Sequence, residues 1–271
     1  MKLQCLRALI GCILLSCIWT HVLADRLDEV INRGVLKVGV SDTTPPFSFK
    51  NQNDQLEGYD IDLVRSVAKR MNLKLEMSPL TSAQRIPMLQ SDQLDFVATS
   101  MTRTQDRLKE IDFSVIYFVT PHAVIVKNSS PITSIKHLEG KSAASVNTST
   151  AGGNLLEAQP LIKIKYVRDY FLAFSELKNG QVDAFTTDET VLSAILKEDG
   201  HPEDYRFLKD FTKSRDVGFA LKKGEDRFKS MVNQKLIEIE SSGEALEIWN
   251  KWFGTKTDHP IARTFKISST Y

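Results

Sequence analysis

Short apolar runs alternate with amphipathic stretches over most of the chain. Six runs have the length and composition of buried strands: 35–40, 73–80, 94–98, 141–146, 162–167 and 182–187. From Ile61 to Met71 the apolar residues recur every three or four positions, which indicates an amphipathic helix. Shorter helices are predicted over Arg85–Gln90 and Phe171–Gly180. Because strands and helices alternate, the pattern predicts an α/β protein with mostly parallel sheets.

Two segments of this pattern are similar in sequence. MLQSDQLDFVATS (Met88–Ser100) and ELKNGQVDAFTTD (Glu176–Asp188) share leucine, glutamine and aspartate at the same offsets, and the shared aspartates are Asp95 and Asp183. Two successive similar units favour two lobes over one large sheet. The carboxyl ends of their strands would then face each other across a crevice, which is where open α/β sheets bind ligands.

The last quarter of the chain has a different pattern. A single strand is predicted over Asp216–Gly224, followed by amphipathic helices over Arg227–Gly243 and Glu244–Gly254. Beyond about residue 256 the sequence is polar and has no periodicity. We therefore expect a loose C-terminal extension there.

The stretch TSMTRTQDR (Thr99–Arg107) combines several features of an anion site. It follows a predicted buried strand and carries hydroxyl side chains, and Thr104 is a favourable N-cap for a following helix. Arg107 would lie in the first turn of that helix, where the helix dipole disfavours a cation. Two interpretations stay open on these residues alone. One is an anion site at a helix N-terminus, and the other is a capped helix whose arginine points into solvent.

Composition and the N-terminus restrict the classes of function. The chain has 271 residues and a net charge of +1, so neither a nucleic acid nor an anionic membrane is expected as a partner. Lys2 and Arg7, an apolar run at 8–18 and the small-residue site Val22–Ala24 have the arrangement of a secretory signal peptide. The mature protein is therefore expected in the periplasm.

All three cysteines, Cys5, Cys12 and Cys17, lie in this leader. The mature chain would therefore contain no disulfide, no thiolate nucleophile and no cysteine-bound metal. A competing interpretation is that LLSC (Leu14–Cys17) is a lipobox and that Cys17 carries a lipid anchor. The apolar stretch continues past Cys17, which favours cleavage after Ala24 instead.

The segment GYDIDLVRSVAKRM (Gly58–Met71) matches a long motif of glycine, aromatic, acidic and aliphatic residues at fixed spacing. On this motif the chain resembles the bacterial extracellular solute-binding proteins of family 3, which bind polar amino acids for ABC transporters. The resemblance extends over nearly all of the mature chain. In Thr81–Gln90 and Thr99–Arg107 it is closest to the glutamate/aspartate-binding branch.

The resemblance implies a periplasmic binding protein of type II fold, with two α/β lobes joined by a two-strand hinge that closes over the ligand. Each lobe would be a mostly parallel sheet flanked by helices. The implied organisation is a signal peptide at 1–24, lobe 1 at 25–118 plus 218–258, lobe 2 at 119–217 and a C-terminal extension at 259–271. The hinge crossings would lie near Phe118–Pro121 and Ser214–Val217.

The resemblance also implies a set of substrate-binding residues. They are Ser82, Arg85, Ser100, Thr102, Arg107, Ser149, Thr150, Tyr170 and Asp188. Arg107 corresponds to the residue that clamps the ligand α-carboxylate, with help from Ser100 and Thr102. Asp188 corresponds to the acid that takes the α-ammonium, and Arg85 to an arginine that acidic-ligand relatives use on the side-chain carboxylate.

Departures from the family pattern bear on specificity. Relatives that bind basic or amide amino acids carry aromatic residues where this chain has Thr44 and Ser82, which favours an acidic ligand. Two departures weigh against that conclusion. Ser41 stands where a second basic residue is expected, and Tyr170 stands where histidine is common.

Two classes of function fit these features. The first is capture, without catalysis, of an acidic amino acid for an ABC importer, by a monomer with no cofactor and no metal. The second is an enzyme of the same fold, similar to a periplasmic cyclohexadienyl dehydratase, which would need a general acid in the cleft. His122, His137 and His201 fall in predicted hinge or surface loops, so exposed histidines are expected and the first class is favoured. Asp60 and Asp62 are expected only to complement the dipole of the helix they begin.

Overall fold

The computed structural model describes residues 25–211, 213–257 and 260–268. The α-helices are α1 (Arg26–Arg33), α2 (Tyr59–Arg70), α3 (Arg85–Gln90), α4 (Arg107–Glu110), α5 (Thr150–Ala158), α6 (Tyr170–Lys178), α7 (Glu189–Asp199), α8 (Asp226–Ser241) and α9 (Glu244–Phe253). None of the helices in these ranges has both the length and the apolar character to cross a membrane. The predicted signal peptide and its three cysteines lie outside the described residues.

The strands include all six that the apolar runs predict. They are β1 (Val35–Val40), β2 (Thr43–Thr44), β3 (Ser48–Lys50), β4 (Leu56–Glu57), β5 (Lys74–Pro79), β6 (Phe96–Ala98), β7 (Ile111–Phe113), β8 (Phe118–Lys127), β9 (Ser142–Val146), β10 (Lys163–Val167), β11 (Ala184–Asp188), β12 (Tyr205–Phe207), β13 (Lys213–Val217) and β14 (Ala220–Lys222).

The strands form two large sheets that share no strand. The first has the order β5-β1-β6-β14-β7, with β1, β5 and β6 parallel and β14 antiparallel to its neighbours. The second has the order β10-β9-β11-β8-β12, with β9, β10 and β11 parallel and β13 paired to β8. Helices α2 and α3 pack on strands of the first sheet, and α5, α6 and α7 pack on the second. This arrangement confirms an α/β fold with two units.

The chain passes between the two sheets twice. It leaves the first sheet after β7 and enters the second at β8, and it returns from β13 to β14. The crossing strands pair antiparallel, with Phe118 opposite Val217 and Pro121 opposite Ser214. The prediction of one strand over Asp216–Gly224 is wrong, because β13 and β14 belong to different sheets and Gly218 lies between them.

The repeated aspartates have the same structural role in the two units. Asp95 accepts a hydrogen bond from the backbone N–H of Lys37 at 2.7 Å, and Asp183 accepts one from the N–H of Ser142 at 2.8 Å. Lys37 lies on β1 and Ser142 on β9, the parallel neighbours of β6 and β11. Each aspartate therefore fixes the start of the strand that leads towards the space between the sheets.

Gly58 explains the first position of the long motif. Its φ is +135°, and a Cβ placed there would lie 2.1 Å from the carbonyl oxygen of Phe47. Only glycine fits such a backbone conformation at such a close approach. The turn at Gly58 starts α2, whose buried face carries Ile61, Val64 and Val67 into the core.

The expected loose C-terminal extension is wrong for the described residues 260–268. Ile267 is 2% exposed, and Phe265 lies 5.6 Å from Phe118 between ring centroids. Arg263 forms an ion pair with Glu240 at 2.5 Å. Residues 260–268 form neither helix nor strand, which agrees with the lack of periodicity, but they pack on the first unit.

Candidate functional site

Eight of the nine predicted site residues converge between the two sheets. Together with two further residues they line one recess: Arg85, Ser100, Thr102, Arg107, His122, Ser149, Thr150, Tyr170, Asp188 and Arg215. The recess lies beyond the carboxyl end of β6 and around that of β11. It encloses about 10 Å³, the space that about one water molecule needs. The polar groups of the two units therefore contact each other directly across it.

The ninth residue, Ser82, lines an adjoining cavity of about 220 Å³ that shares Arg85 and Tyr170 with the recess. Ser41 and Thr44 also line this cavity, and their hydroxyl oxygens lie 2.6 Å apart. The cavity is thus lined by hydroxyl groups. Aromatic residues in their place would favour a ligand with an apolar or amide side chain.

Arg107 connects the two units. Its guanidinium donates to the carbonyl oxygens of Thr102 and Thr148, at 2.7 Å each. Its backbone N–H donates to the hydroxyl of Thr104 at 3.2 Å. The predicted N-cap is two residues off, because α4 begins at Arg107 and Asp106 takes the N-cap position. Burial lowers the pKa of Arg107 to about 10, which leaves it a cation at neutral pH. The structure excludes the interpretation that Arg107 points into solvent.

Arg85 is a buried cation at the border between the recess and the adjoining cavity. Its residue is 6% exposed, and no ion pair or hydrogen bond of standard geometry joins it to another described residue. Burial lowers its pKa and Arg215 acts in the same direction, while Tyr170 and Asp60 favour the charged form. A buried guanidinium in this state is a binding partner for an anion.

Asp188 lies in the recess as predicted, but its charge is already engaged. Its carboxylate accepts a hydrogen bond from Arg215 in a short ion pair. Arg215 also donates to the carbonyl oxygen of Ser100 at 3.0 Å and to the hydroxyl of Thr102 at 2.5 Å. Burial raises the pKa of Asp188, and Arg215 opposes that shift. Arg215 is not among the predicted site residues, because no motif surrounds it in the sequence.

The expectation of an exposed His122 is wrong. His122 is 2% exposed and lines the recess, because β8 carries it from the hinge into the cleft. Asn154 donates to its Nδ1 at 2.8 Å, which places the ring proton on Nε2, 3.5 Å from Asp188. Burial lowers the pKa of His122 to about 3, so it is neutral and the contact with Asp188 is not an ion pair. His137 and His201 are exposed, as predicted.

Asp60 lies in the first turn of α2, as predicted, and it also holds Ser100, a residue that lines the recess. Its carboxylate accepts the N–H of Ser100 at 2.7 Å and holds that residue in a left-handed conformation with φ of +48°. Burial raises the pKa of Asp60 to about 7. Asp62, by contrast, accepts from Lys251 and Trp252 near the surface.

The N-terminus of α5 provides the remaining hydroxyl groups. Ser149 caps this helix by accepting the N–H of Ala151 at 3.2 Å. Thr150 lies with its hydroxyl 3.2 Å from that of Thr102. The helix packs closely on β9 at Gly152, where a Cβ would lie 3.0 Å from that of Ser145.

Among the described residues, no group of three or more histidine, aspartate, glutamate or cysteine side chains is arranged to hold a metal ion. The recess instead offers three guanidiniums, several hydroxyls and one carboxylate. These groups can bind a small anionic solute by charge and hydrogen bonds.

Comparison with known proteins agrees with this geometry. The ABC transporter glutamine-binding protein GlnH of Bacillus subtilis (strain 168) is 34% identical over 234 residues, which is 84% of each chain. The glutamate/aspartate import solute-binding protein of Escherichia coli (strain K12) is 27% identical over 84% of this chain and 79% of its own. The glutamate/aspartate branch is therefore one of several among the relatives.

The fold is also found in solved structures. An ancestral amino acid-binding protein, AncCDT-1, described as a precursor of cyclohexadienyl dehydratase, matches with a TM-score of 0.75 at 32% identity. The match covers 84% of this chain and 99% of that chain. The family model of bacterial extracellular solute-binding proteins, family 3, matches residues 36–255. The chain belongs to this family of solute-binding proteins.

Proposed function

We propose that the chain captures an acidic amino acid between its two sheets and delivers it to the membrane subunits of an ABC importer. The observation that carries this proposal is Arg85, a buried cation that faces the cleft without an ion pair. Arg107 adds a second positive charge, whereas the charge of Arg215 is balanced by Asp188. Two guanidiniums therefore remain for the two carboxylates of the ligand.

In this assignment Arg107 holds the α-carboxylate together with the hydroxyls at the N-terminus of α5. Arg85 holds the side-chain carboxylate at the border of the hydroxyl-lined cavity, with Ser82 and Tyr170 beside it. The amino group lies nearest Asp188. A planar guanidinium binds a carboxylate through two parallel hydrogen bonds, and a side-chain amide cannot reproduce that pattern.

The names of the relatives support an amino acid ligand, but they differ on whether its side chain is acidic. One is named for glutamine and another for glutamate and aspartate. We propose the acidic ligand because Arg85 is a buried cation without an ion pair. The same names support a transporter partner and a location outside the cytoplasm.

The direct test is a thermal-shift and calorimetric comparison of glutamate, aspartate, glutamine and asparagine on protein freed of ligand by unfolding and refolding. A ligand at a hundredfold over its dissociation constant adds about 2.7 kcal/mol of stability. We expect one of the acids to bind at least about tenfold more tightly than its amide, because a charge-assisted hydrogen bond contributes about 1.5–3 kcal/mol. Equal affinity for acid and amide contradicts the proposal.

We also propose that residues 25–118 with 218–258, and residues 119–217, move as two lobes about the paired hinge strands. Both sides of the cleft come from one chain, so a monomer suffices. Cleavage after Ala24 and a lipid on Cys17 remain alternative fates of the N-terminus. The mass of the exported protein separates them, because cleavage leaves an unmodified chain that begins at Asp25.

A second candidate function is favoured by one observation. Burial raises the pKa of Asp188 inside the cleft, which is the direction a general acid of a dehydratase-like enzyme needs. The ion pair with Arg215 works against it by stabilising the carboxylate. Turnover of prephenate or arogenate by the purified protein tests this alternative, and we expect none.

A further inference from the structure

Arg215 is held more completely than the other two arginines of the cleft. It is 7% exposed and donates both to the carboxylate of Asp188 and to the hydroxyl of Ser100 at 3.0 Å. It also donates to the backbone of Ser100 and to Thr102. It is carried by β13, one of the two hinge strands, and it reaches from the acid of the second sheet to the loop of the first.

The ion pair changes what Asp188 offers to a ligand. Among the described residues, Asp188 is the one carboxylate that lines the recess. Its charge is balanced by Arg215, and its other oxygen, Oδ1, faces the neutral ring of His122 at 3.5 Å. An incoming ammonium would find one hydrogen-bond acceptor there. It would also meet three guanidiniums at short range, and like charges repel.

We propose that Arg215 is a specificity residue that takes the place of an ammonium group on Asp188, so that the site binds dicarboxylates with and without an α-amino group. The inference rests on the proposed function in one respect, since it requires an acidic ligand. Specificity is a difference between two affinities. Here Arg85 and Arg107, which attract carboxylates, form no ion pair with a described acid, whereas Asp188, which would attract an ammonium, is paired with Arg215.

The test compares ligands that differ only in the amino group. Glutamate is paired with glutarate and aspartate with succinate, and each is titrated by calorimetry into ligand-free wild-type protein. We expect the amine-free member of the pair to bind within tenfold of the amino acid. A wild-type preference of more than tenfold for the amino acid overturns the inference.

Arg215→Met provides the second arm of the test. Removal of the internal cation frees the charge of Asp188, so the ratio of affinities should move at least tenfold towards the amino acid. Lys213→Met is the matched control, because it removes an exposed cation from the same strand, paired with the exposed Glu157. The control should leave the ratio unchanged. A smaller change in Arg215→Met than tenfold overturns the inference.

Asp188→Asn decides the question if Arg215→Met fails to fold, as judged by circular dichroism. It leaves Arg215 as a free cation, and the ratio should move at least tenfold towards the amine-free diacid. An unchanged ratio again counts against Arg215. If neither acidic amino acids nor diacids bind while a neutral or basic amino acid does, the proposed acidic ligand itself is wrong. These outcomes distinguish the two failures.

Discussion

In the proposed function, preference for an acid over its amide depends on Arg85, and replacement of this residue gives the sharpest test at the scale of single residues. Arg85→Met keeps the length of the side chain and removes the charge. We expect the preference for glutamate over glutamine to disappear, a loss of about tenfold or more in relative affinity. Isothermal titration with both ligands measures it. Arg227→Met, which removes an exposed arginine paired with Asp28, should leave the preference intact. A variant that still prefers the acid excludes Arg85 as its cause.

Arg107 should affect acids and amides alike, because the α-carboxylate is common to both. Arg107→Met removes a cation from a closed cleft and leaves the ligand charge buried without a partner. Such a loss costs about 2–5 kcal/mol, or about thirtyfold to several thousandfold in affinity. Calorimetry should show this reduction for glutamate and glutamine in parallel, with a melting curve as the check on folding. Near-wild-type binding contradicts the role of Arg107.

Asp60 predicts a dependence of stability on pH. Burial raises its pKa to about 7, whereas an unfolded aspartate has a pKa of about 4. Between these values the folded protein holds a proton that the unfolded chain has released, so this group's contribution to the free energy of unfolding falls as pH rises from about 4 to 7. Asn at this position keeps an oxygen for the N–H of Ser100 and does not titrate.

Urea unfolding of Asp60→Asn and wild type at pH 5 and pH 8 measures this contribution. The contributions of the other titrating groups to the free energy of unfolding cancel in the difference between the two proteins. We expect the variant to gain stability relative to wild type at the higher pH, by more than about 1.4 kcal/mol, the equivalent of one pKa unit. The same difference at both pH values means that Asp60 titrates in its usual range.

At the scale of elements, the two repeated aspartates allow a comparison within one molecule. Asp95 accepts from Lys37 and pairs with Arg26, a 6% exposed arginine, through an Nε–carboxylate distance of 3.2 Å. Asp183 accepts from the N–H and the hydroxyl of Ser142. Loss of a partner from a buried ion pair costs about 3–5 kcal/mol, whereas neutral buried donors left without their acceptor cost about 1–3 kcal/mol. Asp95→Ala should therefore destabilise the protein more than Asp183→Ala in urea unfolding, and the reverse order contradicts this account.

The apolar runs predict strands well because a strand buried on both faces is apolar along its length. The polar segment KSRDV of β13 gives no such signal. Its alternating buried residues, Arg215 and Val217, are placed by pairing with β8 across nearly a hundred residues of chain. Long-range pairing of this kind leaves no local pattern, and the sequence therefore predicts one strand where the structure has two.

The same limit applies to the site. The family resemblance implies Arg85, Arg107 and Asp188 as site residues, and all three line the recess. Arg215 and His122 reach it from the hinge strands, whose register is set by the whole fold. A histidine or an arginine in a hinge has no residue pattern that separates it from a surface residue. Both were therefore found only in the structure.

At the scale of the whole molecule, the contacts across the cleft are polar. Arg107 joins Thr102 to Thr148, and the hydroxyls of Thr102 and Thr150 lie 3.2 Å apart. Water can replace such hydrogen bonds when the sheets separate, so opening costs less than exposure of an apolar interface. In the proposed motion, the hinge strands β8 and β13 stay paired with each other and provide the axis.

The closed recess leads to the last prediction. A recess of about 10 Å³ is too small for an amino acid, so we expect uptake to involve separation of the lobes and closure on the ligand. Small-angle scattering should show a smaller radius of gyration at saturation with the best ligand than without it. An unchanged radius counts against the hinge.

A reversible disulfide across the cleft tests the same separation of the lobes without a measurement of molecular size. Residues 25–271 contain no cysteine, so Thr102→Cys and Thr150→Cys together introduce a single pair whose side chains meet across the cleft. When oxidised, the double variant should remain compact and take up ligand at least tenfold more slowly than when reduced, because the lobes can no longer part. The two single variants control for the loss of each hydroxyl. If the oxidised form binds as fast as the reduced form, the ligand enters without separation of the lobes, and the two units act as one rigid body.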